Sequence, residues 1–193
     1  MSATELTSKG NATRQAIINT ARSVLVEEGY ECLVMREIAQ RCGIKLGNLQ
    51  YYFPTKEALL TCVIELEAEK DIFTIQASLQ QSDDHEALRA VVTELLGRWR
   101  GDSGTVFATL NLLMQHNEGY RALYGRIYQN FYTNIEEAIR CALPDLDPDE
   151  CGIRARLLSA LVDGAALQVG FTKSPALSER LIDEAFRMAL HGR

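Results

Sequence analysis

The stretch MREIAQRCGIKLGNLQYYFPTK, residues 35–56, decides the fold because its small residues fall where two helices must cross at a tight turn. Counting from Met35, Ala39 is fifth, where a larger side chain would hold the helices apart, and Gly43 is ninth, where the turn needs a positive φ. The positions that face inward from both helices are apolar: Ile38, Cys42, Ile44, Leu49 and Tyr52. This pattern predicts a helix-turn-helix whose second helix runs from about Leu46 to Tyr52.

The outward side chains of that second helix are suited to DNA, because its N-terminal residues reach base edges first when it lies in a major groove. Lys45 can donate to guanine, and Asn48 and Gln50 can pair with adenine. Tyr51 and Lys56 are expected to meet phosphate groups, Lys56 beside the free N–H groups of the next helix. The predicted DNA-binding residues are Arg36, Lys45, Leu46, Gly47, Asn48, Gln50, Tyr51 and Lys56.

The run from residue 11 to residue 60 resembles the DNA-binding domain of the tetracycline-repressor (TetR) family. The matching words are TRQAII at 13–18, EGY at 28–30, REIA at 36–39, GNL at 47–49 and YFPTKEALL at 52–60. Residues 161–164, LVDG, are similar to the betaine-regulator-like branch of that family. The resemblance implies a homodimeric transcriptional regulator, more often a repressor, that binds a palindromic operator and responds to a small effector.

The chain departs from the family pattern before its second helix. The family usually has a Ser or Thr there as the capping residue, whereas this chain has Leu33 and Val34, which cannot accept a hydrogen bond from a helix N–H. A phosphate contact from that cap is therefore not expected.

Charge is distributed unevenly along the 193 residues. The whole chain has a net charge of -6, whereas residues 35–56 carry Arg36, Arg41, Lys45 and Lys56 against Glu37, a net charge of +3. A basic segment attached to an acidic body is compatible with binding to phosphates. No apolar run approaches the roughly 20 residues that span a bilayer, so we expect a cytoplasmic protein.

Helical periodicity recurs almost throughout, so we predict an all-α protein of about nine helices. We expect a flexible tail at 1–10, a helix-turn-helix domain at 11–54 and a sensing and dimerisation domain at 55–193. The first helix is predicted to start near Asn11 or Thr13, and a long fourth helix to run from Thr55 to about Gln80. Capping patterns predict further helix starts at Asp83, Asp147 and Ser174.

Aromatic and soft apolar residues concentrate between the predicted fifth and seventh helices. Four tyrosines recur every four residues, at 120, 124, 128 and 132, and form one stripe of a helix. The region suits an effector with apolar area and a few polar atoms, although core packing explains the same pattern. The predicted effector-binding residues are Trp99, Phe107, Asn111, Met114, Gln115, Tyr120, Tyr124 and Tyr128.

The last two predicted helices carry more apolar surface than one stripe, which, with the family resemblance, favours a four-helix interface with a second copy. Ordinary core use is the alternative. The predicted interface residues are Leu157, Leu161, Gly164, Ala165, Leu181, Ala185 and Phe186.

Rival interpretations remain. A thiol-based redox regulator would use Cys141 and Cys151, and a helical scaffold or carrier would not bind DNA at all. The GDSG at 101–104 mimics a serine-protease signature, but we interpret it as a loop and helix cap. No metal-binding or cofactor motif is present in the sequence, so we expect neither a cofactor nor an enzyme.

Overall fold

A computed structural model describes residues 8–80, 84–169 and 174–192 of the chain. Within these ranges the fold is all-α, with nine α-helices and one short 3-10 helix at Tyr30–Cys32. The α-helices are α1 Ser8–Glu27, α2 Met35–Arg41, α3 Leu46–Tyr52, α4 Lys56–Leu79, α5 Asp84–Trp99, α6 Asp102–Leu113, α7 Glu118–Ala142, α8 Pro148–Val169 and α9 Pro175–His191. No described helix combines the length and hydropathy that crossing a bilayer requires.

Helix α1 begins earlier than predicted. It includes Ser8, so neither Asn11 nor Thr13 caps it, and the Thr13 hydroxyl donates back to the Lys9 carbonyl at 3.0 Å as a mid-helix residue does. Most of the predicted tail, residues 1–7, lies outside the described residues. The buried residues of α1 are Ile17, Ile18, Ala21, Val24 and Leu25.

Helices α2 and α3 cross at the predicted turn. Gly43 has φ +66°, and the Ile44 N–H donates to the Ala39 carbonyl at 3.0 Å. Ile38 and Ala39 from α2 and Leu49 from α3 are buried between the helices. The recognition helix α3 has the predicted bounds because Pro54 prevents its continuation.

Helix α4 starts where Thr55 accepts a hydrogen bond from the Ala58 N–H at 3.1 Å, as predicted. The chain divides into two compact units between Leu66 and Glu67, inside this helix. The division lies beyond the predicted boundary at residue 54 because the first turns of α4 bury Leu59 and Leu60.

The second unit is a helical bundle in which α7 packs against α5 and α8, and α9 packs against the same two helices. Asp147 and Ser174 cap α8 and α9 as predicted, each accepting from backbone N–H groups of the following turn. The predicted cap Asp83 lies outside the described residues. The interpretation of GDSG at 101–104 as a loop and helix cap was wrong for Ser103, which is a buried residue within α6.

Candidate nucleic-acid interface and effector region

The recognition helix and its N-cap residue expose predicted polar side chains. Lys45, Asn48 and Gln50 are exposed, and Tyr51 is 68% exposed, whereas Leu49 is fully buried. A Cβ added at Gly47 would meet nothing within 4 Å, so the helix surface there is open to close approach by another molecule. Leu46 is half-buried at the first turn. Donors and acceptors of the kind that recognise base edges are therefore accessible at the start and on the surface of α3.

Two of the four basic residues in this segment are engaged inside the protein. The Lys56 ammonium donates to the Tyr30 carbonyl at 2.9 Å and lies 3.7 Å from the centroid of the Tyr30 ring. Arg41 forms ion pairs with Glu28 and Glu37, and its guanidinium lowers the pKa of the Glu28 carboxyl. The Arg36 side chain is exposed.

The start of α2 lacks a side-chain cap, in accordance with the sequence. Val34 occupies the capping position, has extended backbone and accepts no side-chain hydrogen bond. Its side chain is 51% exposed. No capping side chain therefore competes with an anion for the free backbone N–H groups at this helix end.

In the second unit, the predicted aromatic residues form a closed cluster. Trp99 stacks on Phe107, with ring centroids 4.5 Å apart and planes 3° from parallel. Tyr128 meets the Trp99 ring edge-on at 6.5 Å, and Phe131 lies 6.0 Å from it. All four side chains are buried, so they contribute to the core whatever else they do.

The tyrosine stripe of α7 ends at a carboxylate. Tyr124 stacks on Tyr128 at 4.0 Å, and Tyr132 meets Tyr128 at 5.9 Å. The Tyr128 hydroxyl donates to Asp163 on α8, at 3.0 Å from one carboxylate oxygen and 3.1 Å from the other. Burial raises the pKa of Asp163 to about 6. Among the described residues, no lysine or arginine forms an ion pair with this carboxylate.

The remaining predicted effector residues lie around this cluster. Asn111 is half-buried on α6 and hydrogen-bonds to Tyr128. Tyr120 is buried on α7. Met114 is half-buried at the end of α6, and Gln115 is exposed in the turn that follows.

Sequence reasoning missed the buried acids. Glu67 and Asp71 on α4 are each 1% exposed, and Asp163 is half-buried on α8. A signal was available for the first two, because they occupy the same helical stripe as the buried Ile64 and Ile75. Charged residues in an apolar stripe indicate a partner or a function.

Helices α8 and α9 carry an exposed apolar surface. Leu157 is 48% exposed and Leu161 and Leu181 are half-buried, and a cavity of about 170 Å³ lies between the two helices, lined in part by Gly164. Additional exposed residues that the sequence reasoning did not name are Ile153, Leu167 and Leu177.

Three of the predicted interface residues are buried or partly covered within the second unit. Ala185 is fully buried and Ala165 is 5% exposed, so they pack within the unit because their small side chains allow close helix contact. Phe186 is half-buried beneath the Arg89 guanidinium, which lies 5.3 Å from its ring centroid.

The thiols do not suit the redox interpretation. Cys151 is buried, and burial raises its pKa, which reduces the thiolate fraction that reacts with peroxide. Cys141 is exposed. A sensor that needs both thiols as reactive groups is therefore disfavoured.

A helix-turn-helix with an exposed polar recognition helix, joined to a helical bundle, defines a class of DNA-binding transcriptional regulators. Residues 17–62 match the N-terminal domain of bacterial regulatory proteins of the TetR family, and residues 84–191 match the C-terminal domain of BetI-type transcriptional repressors. The chain belongs to the TetR family and has a BetI-type C-terminal domain. It is therefore a helix-turn-helix transcriptional regulator and not an enzyme.

Similar proteins agree with this assignment. The chain is 34% identical over 92 residues to an uncharacterised HTH-type transcriptional regulator in the dhlA 5′ region of Xanthobacter autotrophicus, an alignment that covers 46% of each chain. It thus aligns with about half the length of the curated relatives that it matches.

Two solved structures share the fold. A transcriptional regulator from Rhodococcus sp. RHA1 superposes with a TM-score of 0.78 at 23% identity, covering 93% of this chain and 96% of that one. A regulator from Saccharomonospora viridis, solved in complex with choline, gives a TM-score of 0.75 at 23% identity, covering 94% and 97%. At this identity the likeness supports the fold alone.

Proposed function

We propose that the protein is a homodimeric repressor that binds a palindromic operator through α3 and releases it when a small organic cation binds in the second unit. The observation that carries the DNA-binding part is that Lys45, at the start of α3, and Asn48 and Gln50, on either side of the buried Leu49, are all exposed. Such side chains offer bidentate amide groups to adenine and a cation to guanine. Arg36, Tyr51 and Lys56 are proposed to position the helix through phosphates.

The exposed apolar surface of α8 and α9 supports a dimer. Leu157, Leu161 and Leu181 lie on it, and water contact with this area is unfavourable unless a second copy covers it. A two-fold axis through this surface would pair two recognition helices with two half-sites, about 34–36 Å apart or somewhat further.

The Asp163 cluster supports a cationic effector. A half-buried carboxylate that forms no ion pair with a described lysine or arginine attracts a positive charge. The tyrosine stripe beside it already has a cation over one ring, because the Arg156 guanidinium lies 5.0 Å from the centroid of the Tyr132 ring. The neighbouring structure from S. viridis contains choline, which has this chemistry. An ammonium group with a small apolar body fits both features of the cluster.

The DNA-binding proposal is tested by selecting bound sequences from randomised duplexes. Asn48→Ala and Gln50→Ala should each cost about 1–3 kcal/mol of binding and relax the preference at one base position per half-site. Gln129→Ala, which removes an exposed glutamine from α7, is the matched control and should change nothing. Identical preferences in all four proteins would sink the proposal.

The effector class is tested with Trp99, the chain's one tryptophan, which lies 6.5 Å from Tyr128. We expect choline to change its fluorescence saturably, and expect 3,3-dimethylbutan-1-ol, a neutral molecule of the same shape, to have a much smaller effect. Asp163→Asn should weaken the response to choline alone. Equal responses to the cation and to its neutral analogue would exclude this effector class.

A further inference from the structure

Two buried carboxylates on α4 hold that helix to its neighbours. Glu67 and Asp71 are one turn apart and each 1% exposed, so both need partners in the protein. Arg98 from α5 supplies one, because its guanidinium pairs with Asp71 and also lies 3.3 Å from Glu67. The Ser103 hydroxyl from α6 donates to Glu67 at 2.7 Å. The position of this half of α4 therefore depends on α5 and α6.

Trp99 connects the same acids to the aromatic cluster. Its indole N–H donates to Asp71 at 2.9 Å, and this bond is buried. The same indole meets Tyr128 edge-on at 6.5 Å, and the Tyr128 hydroxyl binds Asp163. One line of direct contacts thus runs from Asp163 on α8 through α7 and α5 to Asp71 on α4.

Helix α4 belongs to both compact units. Its first turns bury Leu59, Leu60, Val63 and Ile64 in the first unit, and its later turns carry Glu67 and Asp71 in the second. Because it is one continuous helix, a change in how its later turns are held also acts on a helix of the DNA-binding unit.

We propose that Trp99 is the positioning residue that couples the Asp163 site to α4. A charge bound at Asp163 changes the hydrogen bond that Tyr128 donates, the Tyr128 ring moves against the indole, and the indole N–H bond to Asp71 is altered. This inference rests on the proposed function, since it describes how the effector site would act on operator binding. Indole is suited to the role because one rigid ring both packs against Tyr128 and donates to Asp71.

The test needs neither DNA nor effector. Asp163→Asn removes the charge at the site, and hydrogen exchange is measured for α4 amides at 67–79 relative to α9 amides at 177–190, which corrects for global stability. We expect Asp163→Asn to change the relative exchange of α4 by about fivefold or more. Trp99→Phe keeps an aromatic ring but removes the N–H donor. In the Trp99→Phe background we expect Asp163→Asn to change the relative exchange of α4 by about twofold or less. Tyr128→Phe, which removes the hydroxyl at the same contact, is a second perturbation should Asp163→Asn fold poorly.

Phe107→Leu is the control for a purely structural role, because it removes the ring stacked on Trp99 without touching the N–H. We expect it to leave the effect of Asp163→Asn on α4 in place. The proposal would be overturned if neither Asp163→Asn nor Tyr128→Phe changed the relative exchange of α4. It would also be overturned if Asp163→Asn changed that exchange equally with Trp and with Phe at position 99.

Operator affinity of the same variants is measured separately. A protein that shows the exchange coupling but binds no operator would contradict the proposed function and leave the coupling standing. A protein that binds operator without the exchange coupling would contradict the role of Trp99 and leave the proposed function standing.

Discussion

Asp163 illustrates at the scale of one residue how the proposed effector site affects stability. Its carboxylate is partly removed from water, and the hydroxyl of Tyr128 replaces only some of the lost hydration. Burial therefore raises its pKa from 3.8 to about 6. Ionised Asp163 therefore opposes folding, as strained or destabilised groups at functional sites often do.

This shift predicts a pH-dependent difference between the wild type and Asp163→Asn. Because the folded-state pKa is raised, ionisation opposes folding fully above about pH 6 and not at all below about pH 4, where both states are protonated. We expect Asp163→Asn to be more stable by about 1–3 kcal/mol at pH 7, and the difference to shrink towards pH 4. Denaturant unfolding at several pH values measures it, and a difference that grows on acidification would contradict the assignment.

Gly43 and Gly97 give opposite predictions for the same substitution. Gly43 has φ +66°, so alanine there should destabilise the protein by about 1 kcal/mol through backbone strain. Gly97 is exposed within α5 with open space around it, so alanine there should stabilise the protein by about 0.5–1 kcal/mol. Thermal unfolding of both variants measures the two effects. A Gly43→Ala variant that is not destabilised would show that the turn tolerates a side chain, and a destabilised Gly97→Ala variant would contradict the prediction for α5.

At the scale of elements, Arg154 fixes the C-terminal end of α9. It is 9% exposed on α8 and donates to the Ala189 and Leu190 carbonyls, at 3.2 and 2.6 Å, which lie in the last turn of α9. These carbonyls have no partners within their own helix. The arrangement connects two helices of the exposed apolar surface through a nearly buried charge.

Removing this contact should be costly. We expect Arg154→Met to lower the free energy of unfolding by about 2–4 kcal/mol, since buried carbonyl groups and Glu150 lose their partner. Arg180→Met removes an arginine that is 75% exposed on α9 and should change stability by less than about 0.5 kcal/mol. Chemical denaturation measures both, and equal effects would refute the capping role of Arg154.

The elements that sequence predicted well are those set by local rules. Residue type and spacing within a few positions are enough to predict the turn at Gly43, the bounds of α3, and the caps at Thr55 and Ser174. The proposed effector region was visible in the sequence only in part. The aromatic stripe was visible as a period of four, but the contact of Tyr128 with Asp163 joins residues 35 apart in sequence, and only the packing of α7 on α8 brings them together.

The partners of the basic residues in the DNA-binding segment could not be predicted from the sequence alone. The sequence counts Arg41 and Lys56 among the positive groups of this segment, whereas in the structure Arg41 pairs with Glu28, just after α1, and Lys56 donates to the Tyr30 carbonyl. These partners lie 13 and 26 residues away, beyond any local spacing rule. The phosphate contact of Lys56 remains a prediction, and it requires the ammonium to exchange or share its Tyr30 contact.

At the scale of the whole molecule, the proposed operator binding requires a dimer. Leu157→Arg places a charge on the exposed apolar surface of α8, and we expect it to give monomers at micromolar concentration and to weaken operator binding by about tenfold or more. Leu112→Arg adds the same charge at a leucine that is 59% exposed on α6, and it should remain dimeric. Sedimentation velocity compares the two, and a dimeric Leu157→Arg variant would place the interface elsewhere.

The most direct test of the central claim is binding of the purified protein to the DNA upstream of its own gene and to a scrambled duplex, across a salt series. The account predicts preference for the upstream DNA, two protomers per site, and a loss of about 0.9 log units of affinity per log unit of salt for each phosphate neutralised. Absence of preference for that DNA, and for any sequence in a randomised duplex library, would contradict it.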